Sequence, residues 1–191
     1  MSQPLEIFLI RPDLEDVPEF ELSEGFQLRN YHKGDEENWF QIYKAADKYN
    51  KIYSSMFKEY FGADEVKLGR RQFYICNEQG DAIATATSWY NNDYHGESIG
   101  RVHWVAVHPD YQGRGLAKPL LSNVLGRFKE LGHKKCYLRT YHVRIPAIRL
   151  YLSFGFKPDI RSEKDREIWE MISEKFKELD LEDISPLIKL T

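Results

Sequence analysis

A chain of 191 residues is long enough for one domain, and 42% hydrophobic with 14% aromatic content is ample for a sizeable core. A formal charge of −3 leaves no surplus of Lys and Arg to neutralise phosphates, which argues against a nucleic-acid partner, and no run approaches the roughly 20 apolar residues of a membrane span. Cys76 and Cys136 each sit in an apolar, strand-like run, which fits buried thiols in a reducing compartment better than a disulfide framework.

The chain opens with a short apolar patch, Ile7 to Ile10, that lacks the basic flank and the length of a signal peptide, so a cytoplasmic location is expected. Asp13 to Glu24 holds six acidic residues and no Lys or Arg, which predicts a mobile or loosely docked arm over residues 1–25. Ser23-Glu24-Gly25 is a turn signal ahead of a first strand, Phe26 to Tyr31. Trp39, Ile42, Tyr43, Ala46 and Tyr49 recur at intervals of three and four, one face of a helix within 34–49, and a short helix follows over Ser55 to Phe61. Gln72 to Cys76, Ala82 to Tyr90 and Ser98 to Val107 are rich in β-branched and aromatic residues. The breaks between them, Gln79-Gly80-Asp81 and Asn91-Asn92-Asp93, are turn chemistry, so the three form an antiparallel meander.

After Pro109 the period changes to that of a helix, with Leu116, Leu120, Val124, Phe128 and Leu131 on one side and Gly132 as its exit. Lys135 to Thr140 then reads as a strand and Ile145 to Phe154 as a helix leaving through Gly155-Phe156. A strand, a helix and a strand in succession imply a right-handed crossover and one parallel pairing. The expected class is therefore α/β or α+β, with a mixed, mostly antiparallel central sheet flanked by helices. Ser162, with Asp165 three residues on, caps a last amphipathic helix through Ile168, Ile172, Phe176 and Leu179. Three parts are expected: an arm (1–25), a domain (26–160) and a helical extension packed on it (161–191).

The most informative stretch is Val105-Ala106-Val107-His108-Pro109-Asp110-Tyr111-Gln112-Gly113-Arg114-Gly115-Leu116-Ala117-Lys118, where a strand enters a Gly-rich turn that opens the long helix. The first N–H groups of a helix have no internal partner and carry the positive end of its dipole, so such a turn can hold a phosphate. Gly113 and Gly115 let the backbone approach an anion, Ala117 is the next smallest choice, and Arg114 and Lys118 add charge.

Gln112-Gly113-Arg114-Gly115-Leu116-Ala117 resembles the Gln/Arg-x-x-Gly-x-Gly/Ala signature of the GNAT superfamily of N-acetyltransferases. Ala147-Ile148-Arg149-Leu150-Tyr151-Leu152-Ser153-Phe154-Gly155-Phe156 resembles that family's Ala-x-x-x-Tyr-x-x-x-Gly-Phe helix. The resemblance covers residues 26 to 160 and implies the GNAT fold, with acetyl-CoA as cosubstrate wedged between the family's fourth and fifth strands, here Ser98 to Val107 and Lys135 to Thr140. It further implies that the backbone of Val105, Ala106 and Val107 pairs with the pantetheine arm and that Gln112 to Lys118 hold the pyrophosphate. Tyr151 falls on the family's general acid to the departing CoA sulfur, and no metal is implied.

The sequence departs from the family at Arg144, where Asn is frequent, and at Arg139, where some members carry a glutamate base. Candidates for the base are then Glu97 or His103 on the fourth strand, with His142 after the fifth as another. The implied activity is N-acetyltransfer to a primary amine of a small molecule or a protein, by a monomer or homodimer. The alternatives are transfer of a longer acyl group, or a CoA-binding module without catalysis. Acceptor choice would come from residues 39–62 and 89–97, where Tyr43, Tyr49, Tyr53, Phe57, Tyr60 and Phe61 face Trp89, Tyr90 and Tyr94.

Overall fold

The computed structural model describes residues 3–189; residues 1–2 of the expected arm and 190–191 of the expected extension lie outside them. The strands are β1 (Glu6–Arg11), β2 (Gln27–Asn30), β3 (Gln72–Cys76), β4 (Ala82–Tyr94), β5 (Glu97–Val107), β6 (Cys136–Tyr141) and β7 (Lys157–Pro158). They form one sheet in the order β2-β3-β4-β5-β6-β1-β7. β5 and β6 are parallel, joined by a crossover helix, and the other neighbours are antiparallel.

Period-two alternation sends side chains of each strand to opposite faces, and helices cover both. Against one face lie α1 (Asp35–Ala46), α2 (Met56–Phe61) and α3 (Glu65–Arg71), whose Trp39, Phe57, Phe61 and Leu68 bury Tyr74 of β3. Against the other lie α4 (Ala117–Glu130), α5 (Ile145–Ser153), α6 (Glu163–Glu178) and α7 (Ser185–Lys189), in one cluster with Phe73 and Ile75, the neighbours of Tyr74. α4 sits close on β5 because Gly100 has no side chain: a Cβ there would stand 2.8 Å from the Phe128 ring. Cys76 and Cys136 are both free and buried.

The N-terminal segment departs from its expected arm. Residues 6–11 form β1, inside the sheet between β6 and β7, with all six residues paired to β6. Ile7, Leu9 and Arg11 are buried while Glu6 is exposed on the opposite side, the alternation of a half-buried strand. The acidic stretch that follows is docked as well: Leu14 is buried, the Arg11 guanidinium donates to the Asp16 carbonyl at 2.9 Å, and the Ser122 hydroxyl donates to that of Pro18 at 2.8 Å. Its carboxylates point to solvent while its apolar residues meet the sheet, so a count of charges hid the docking. α3 and the two-residue β7 were also not anticipated.

The feature that shapes the site is a bulge in β5. Thr85 and Thr87 of β4 are two residues apart, yet their partners on β5, Ala106 and His103, are three apart. β5 thus carries one extra residue, and Trp104 there adopts φ 52, a left-handed value that a bulky side chain rarely takes. The strain, on the order of 1–3 kcal/mol, is offset by edge-on packing of the Trp104 ring on Trp39 at 5.1 Å and Tyr43 at 4.8 Å. Parallel pairing with β6 spans Gly100 to Val102 and then stops. From there the two strands splay, leaving an open edge on each.

Asp35 in the first turn of α1 is 3% exposed and anchors β2 to this layer. Its carboxylate accepts two bonds from Arg29, at 2.6 and 2.8 Å, and others from the His32 amide and the Asn38 side chain. Burial alone would raise its pKa, but Arg29 and these donors hold it below the usual carboxylate value. A depressed folded pKa contributes stability that is present above the unfolded value and lost as pH falls through the folded one. Asp35→Asn is expected to cost on the order of 3 kcal/mol at neutral pH, by leaving Arg29 uncompensated, and progressively less at acid pH, below the ordinary carboxylate value of about 3.9. Denaturant melts at neutral and acid pH check this; an equal loss at each would overturn it.

Candidate active site

Behind the bulge, β5 runs into a short 3-10 turn, Pro109–Tyr111, and then into Gly113 and Gly115, at φ 78 and 79. Glycine takes these values without a Cβ penalty. Among the described residues no acceptor meets the backbone N–H groups of Gly113, Arg114, Gly115 or Leu116. These donors cluster where the dipole of α4 is positive. A Cβ on either glycine would meet nothing within 4 Å, because both border an open cleft. Lys118 of α4 and Arg149 of α5 line the same cleft, against the single carboxylate of Glu182, so the donor set fits a diphosphate.

Two side chains of the turn are engaged elsewhere. Gln112 donates its amide to the Val107 carbonyl at 3.0 Å, which ties the turn to the end of β5. Arg114 donates to the Asp110 carbonyl at 3.2 Å and lies 4.9 Å from the Tyr111 ring centre, off the cleft wall. Arg149, not singled out from the sequence, lines the cleft wall where Arg114 was expected. Its signal was there: Pro146, Arg149, Leu150 and Ser153 share one helical face, and all four line the cleft.

Across α5 lies a second cleft, bordered by the splayed ends of β5 and β6 and by α1. Tyr151 reaches it from α5, 7% exposed, its pKa pushed up to about 12 by burial while the nearby Arg144 charge acts in the opposite direction. Tyr43 reaches it from α1 with a buried hydroxyl that has no partner among the described residues. Burial, reinforced by Tyr151, raises the Tyr43 pKa well above the ordinary phenol value. Tyr43 was expected both on the apolar face of its helix and among the acceptor-side aromatics, and it lines this cleft. Val105 borders this cleft and Val107 the first, so β5 connects the two, while Ala106 between them is buried among the α1 and α2 aromatics.

The three candidate bases separate. Glu97 lies in the β4–β5 hairpin, ion-paired with Lys135, six residues and about 20 Å along the strand from His103. It lines neither cleft. His142, in the turn after β6, accepts the Leu5 amide N–H on Nδ1 at 2.9 Å and is likewise off both walls. His103 is on the wall of the second cleft, 6% exposed, where burial first and then Arg101 and Arg139 push its pKa well below the ordinary value. It is therefore neutral at physiological pH.

Arg139 and Arg144, the two departures from the family pattern, both line this cleft and both carry a carboxylate partner. Arg139 pairs with Glu6 of β1 at 3.1 Å, and Arg144 with Asp47, just past α1, at 2.9 Å. Arg144 also stacks near the Tyr49 and Tyr141 rings, 5.2 and 5.4 Å from their centres, and so clamps the α1 exit to the β6–α5 turn. Of the aromatics expected at the acceptor side, Phe57 and Phe61 are core, Tyr49, Tyr53 and Tyr60 stay exposed, and Tyr94 is stacked on Tyr137 at 3.8 Å. Among the described residues no group of three His, Cys, Asp or Glu is placed to hold a metal ion, and no helix is long and apolar enough to cross a membrane.

Residues 31–156 match the profile of the Acetyltransferase (GNAT) family. Among curated proteins, a mycothiol acetyltransferase of Actinosynnema mirum is 29% identical over 160 residues, 79% of this chain and 51% of that protein. Another, of Pseudarthrobacter chlorophenolicus, is 30% identical over 146 residues, 74% of this chain and 45% of that protein. The chain spans about half the length of these relatives. Among solved structures, a GCN5-related N-acetyltransferase from Sphaerobacter thermophilus superposes with a TM-score of 0.68 at 20% identity, over 82% of this chain and 50% of that one. The ribosomal-protein-S18-alanine N-acetyltransferase of Escherichia coli does so at 0.56 and 22%, over 68% and 76%.

Proposed function

The chain belongs to the acetyltransferase (GNAT) family, and we propose that it moves an acetyl group from acetyl-CoA to the primary amine of an acceptor by direct attack. The observation that carries this reading is the splay of β5 from β6 beyond Val102, with a diphosphate-type cradle at one side and Tyr151 at the other. Acetyl-CoA supplies a thioester whose carbonyl carbon the amine attacks and whose sulfur departs. The N–H groups of Gly113 to Leu116, with Lys118 and Arg149, hold the phosphates, and the open edge of β5 from Val105 to Val107 offers backbone groups to the pantetheine arm.

Tyr151 keeps its proton across the physiological range and donates it as a hydrogen bond to the leaving sulfur. Arg144, whose charge favours a phenolate, eases transfer as the thiolate forms. His103, neutral on the wall of the acceptor-side cleft, is an acceptor for the proton the amine must shed. With so low a pKa it relays that proton rather than storing it. The mycothiol acetyltransferases among the relatives favour a small-molecule acceptor over a protein.

Calorimetric titration with acetyl-CoA and CoA, followed by thiol release across a panel of amines, tests the reading. Micromolar binding with amine-dependent thiol release is the expected result. Binding without release from any amine would point instead to a CoA-binding module that has lost catalysis, and no binding would overturn the cradle itself.

A further inference from the structure

The acceptor-side cleft holds three arginines, Arg101, Arg139 and Arg144, against two carboxylates, Glu6 and Asp47. Arg139 and Arg144 each have one of these within ion-pair distance. Arg101, on β5, has none: among the described residues its recorded contact is with the Tyr137 ring, 5.8 Å from the centre, and its Nε is buried without an acceptor. Burial first, and Arg139 after it, lower its pKa against the opposing pull of Tyr137, Tyr60 and Glu6, none of which holds the guanidinium in an ion pair. A half-buried charge without an ion-pair partner costs free energy, and its place on the wall of an open cleft, rather than its Nε without a hydrogen-bond acceptor, which Arg11, Arg127 and Arg144 share, makes it a candidate for completion by a ligand.

The surroundings narrow the ligand. Arg101 and His103 project from the same face of β5, two positions or about 7 Å apart, with His103 at the edge where the strands separate. An anion on Arg101 thus lies a few bonds from an amine presented to the splay. One spare cation balances a monoanion, and a second negative charge would sit unbalanced beside Glu6. The guanidinium fork matches the planar geometry of a carboxylate.

We propose that Arg101 binds a carboxylate of the acceptor, so that the substrates are molecules carrying both a primary amine and a carboxylate: amino acids or short peptides with a free C-terminus. The proposal rests on the acetyl-transfer reading for the amine but not for the anion, which binds whether or not chemistry follows.

The test titrates CoA-saturated protein with matched pairs: glycine, β-alanine, γ-aminobutyrate and dipeptides against their amides, with phosphoethanolamine as the phosphate arm. The same compounds are then assayed for thiol release from acetyl-CoA. At least one acid is expected to bind about tenfold or more tighter than its amide, the scale of a charge-assisted hydrogen bond. Arg101→Gln should abolish that preference, Arg101→Lys should retain part of it, and acetyl-CoA affinity, unchanged in both, reports an intact fold. Equal affinity of every acid and amide, no binding of either, a preference that survives Arg101→Gln, or tighter binding of phosphoethanolamine than of any acid would each overturn the proposal. A carboxylate preference in binding with no thiol release in any arm would sink the acetyl-transfer reading while leaving the anion subsite standing.

Discussion

Replacing Tyr151 by Phe is expected to lower kcat by about 100-fold, within the range typical of a positioned general acid, while acetyl-CoA affinity stays within about twofold of the wild type. The substitution removes one oxygen from a buried ring whose packing on Phe156, centres 6.0 Å apart, is left intact. The lost group is a phenol kept protonated by burial, beside the Arg144 charge that favours its anion. The same environment sets the pH profile. Because the phenol pKa is pushed up to about 12, the acid form persists to high pH, and the wild-type rate should show no alkaline fall below about pH 10. Its acid limb belongs to deprotonation of the amine, since His103, with its lowered pKa, is already neutral there. Thiol-release kinetics across pH, beside calorimetry, check both parts; an unaltered kcat in Tyr151→Phe removes the residue from the chemistry.

Gly115→Val should weaken acetyl-CoA binding by at least about 2 kcal/mol, roughly thirtyfold, the scale of losing a charge-assisted hydrogen bond. Two effects act together. At φ 79 a β-branched residue is strained, so the turn must shift and its aligned N–H groups with it. The new side chain also projects into the open space that borders the turn, where the anion would stand. Gly115→Ala separates the two, since it brings the same backbone conflict with less bulk. Gly113 and Gly115 themselves lie outside the buried clusters, so the variant is expected to fold, with its stability in thermal melts lowered by no more than the local strain of about 1–3 kcal/mol. Wild-type affinity in a folded Val variant would remove Gly113 to Lys118 from cofactor binding.

The three strands from Gln72 to Val107, the long helix after the Gly-rich turn, the helix carrying Tyr151 and the capped helix from Ser162 were legible because each is written in local periodicity. The turn expected at Asn91 to Asp93 nevertheless falls inside β4, which runs on to Tyr94, and the short α7 follows the helix expected to be last. β1 was not. Its apolar patch is four residues long and its partner β6 lies about 130 positions away, so neither length nor neighbours marked it, and the acidic stretch behind it suggested an arm instead. The β5 bulge was equally silent, since an extra residue is visible only against the register of β4.

What the sequence by itself determined is the geometry of the Gly-rich turn: strand, Gly-x-Gly turn and helix are contiguous, so φ values, free N–H groups and helix dipole all follow from consecutive residues. Which base candidate reaches the splay, and which arginine is left without a carboxylate, only the tertiary structure decided. Glu6 meets Arg139 and Asp47 meets Arg144 across separations of 133 and 97 residues, and among the described residues Arg101 is left without an ion pair because those pairs close elsewhere. Charge balance in a cleft is a sum over elements brought together from the whole chain, and no local pattern encodes it.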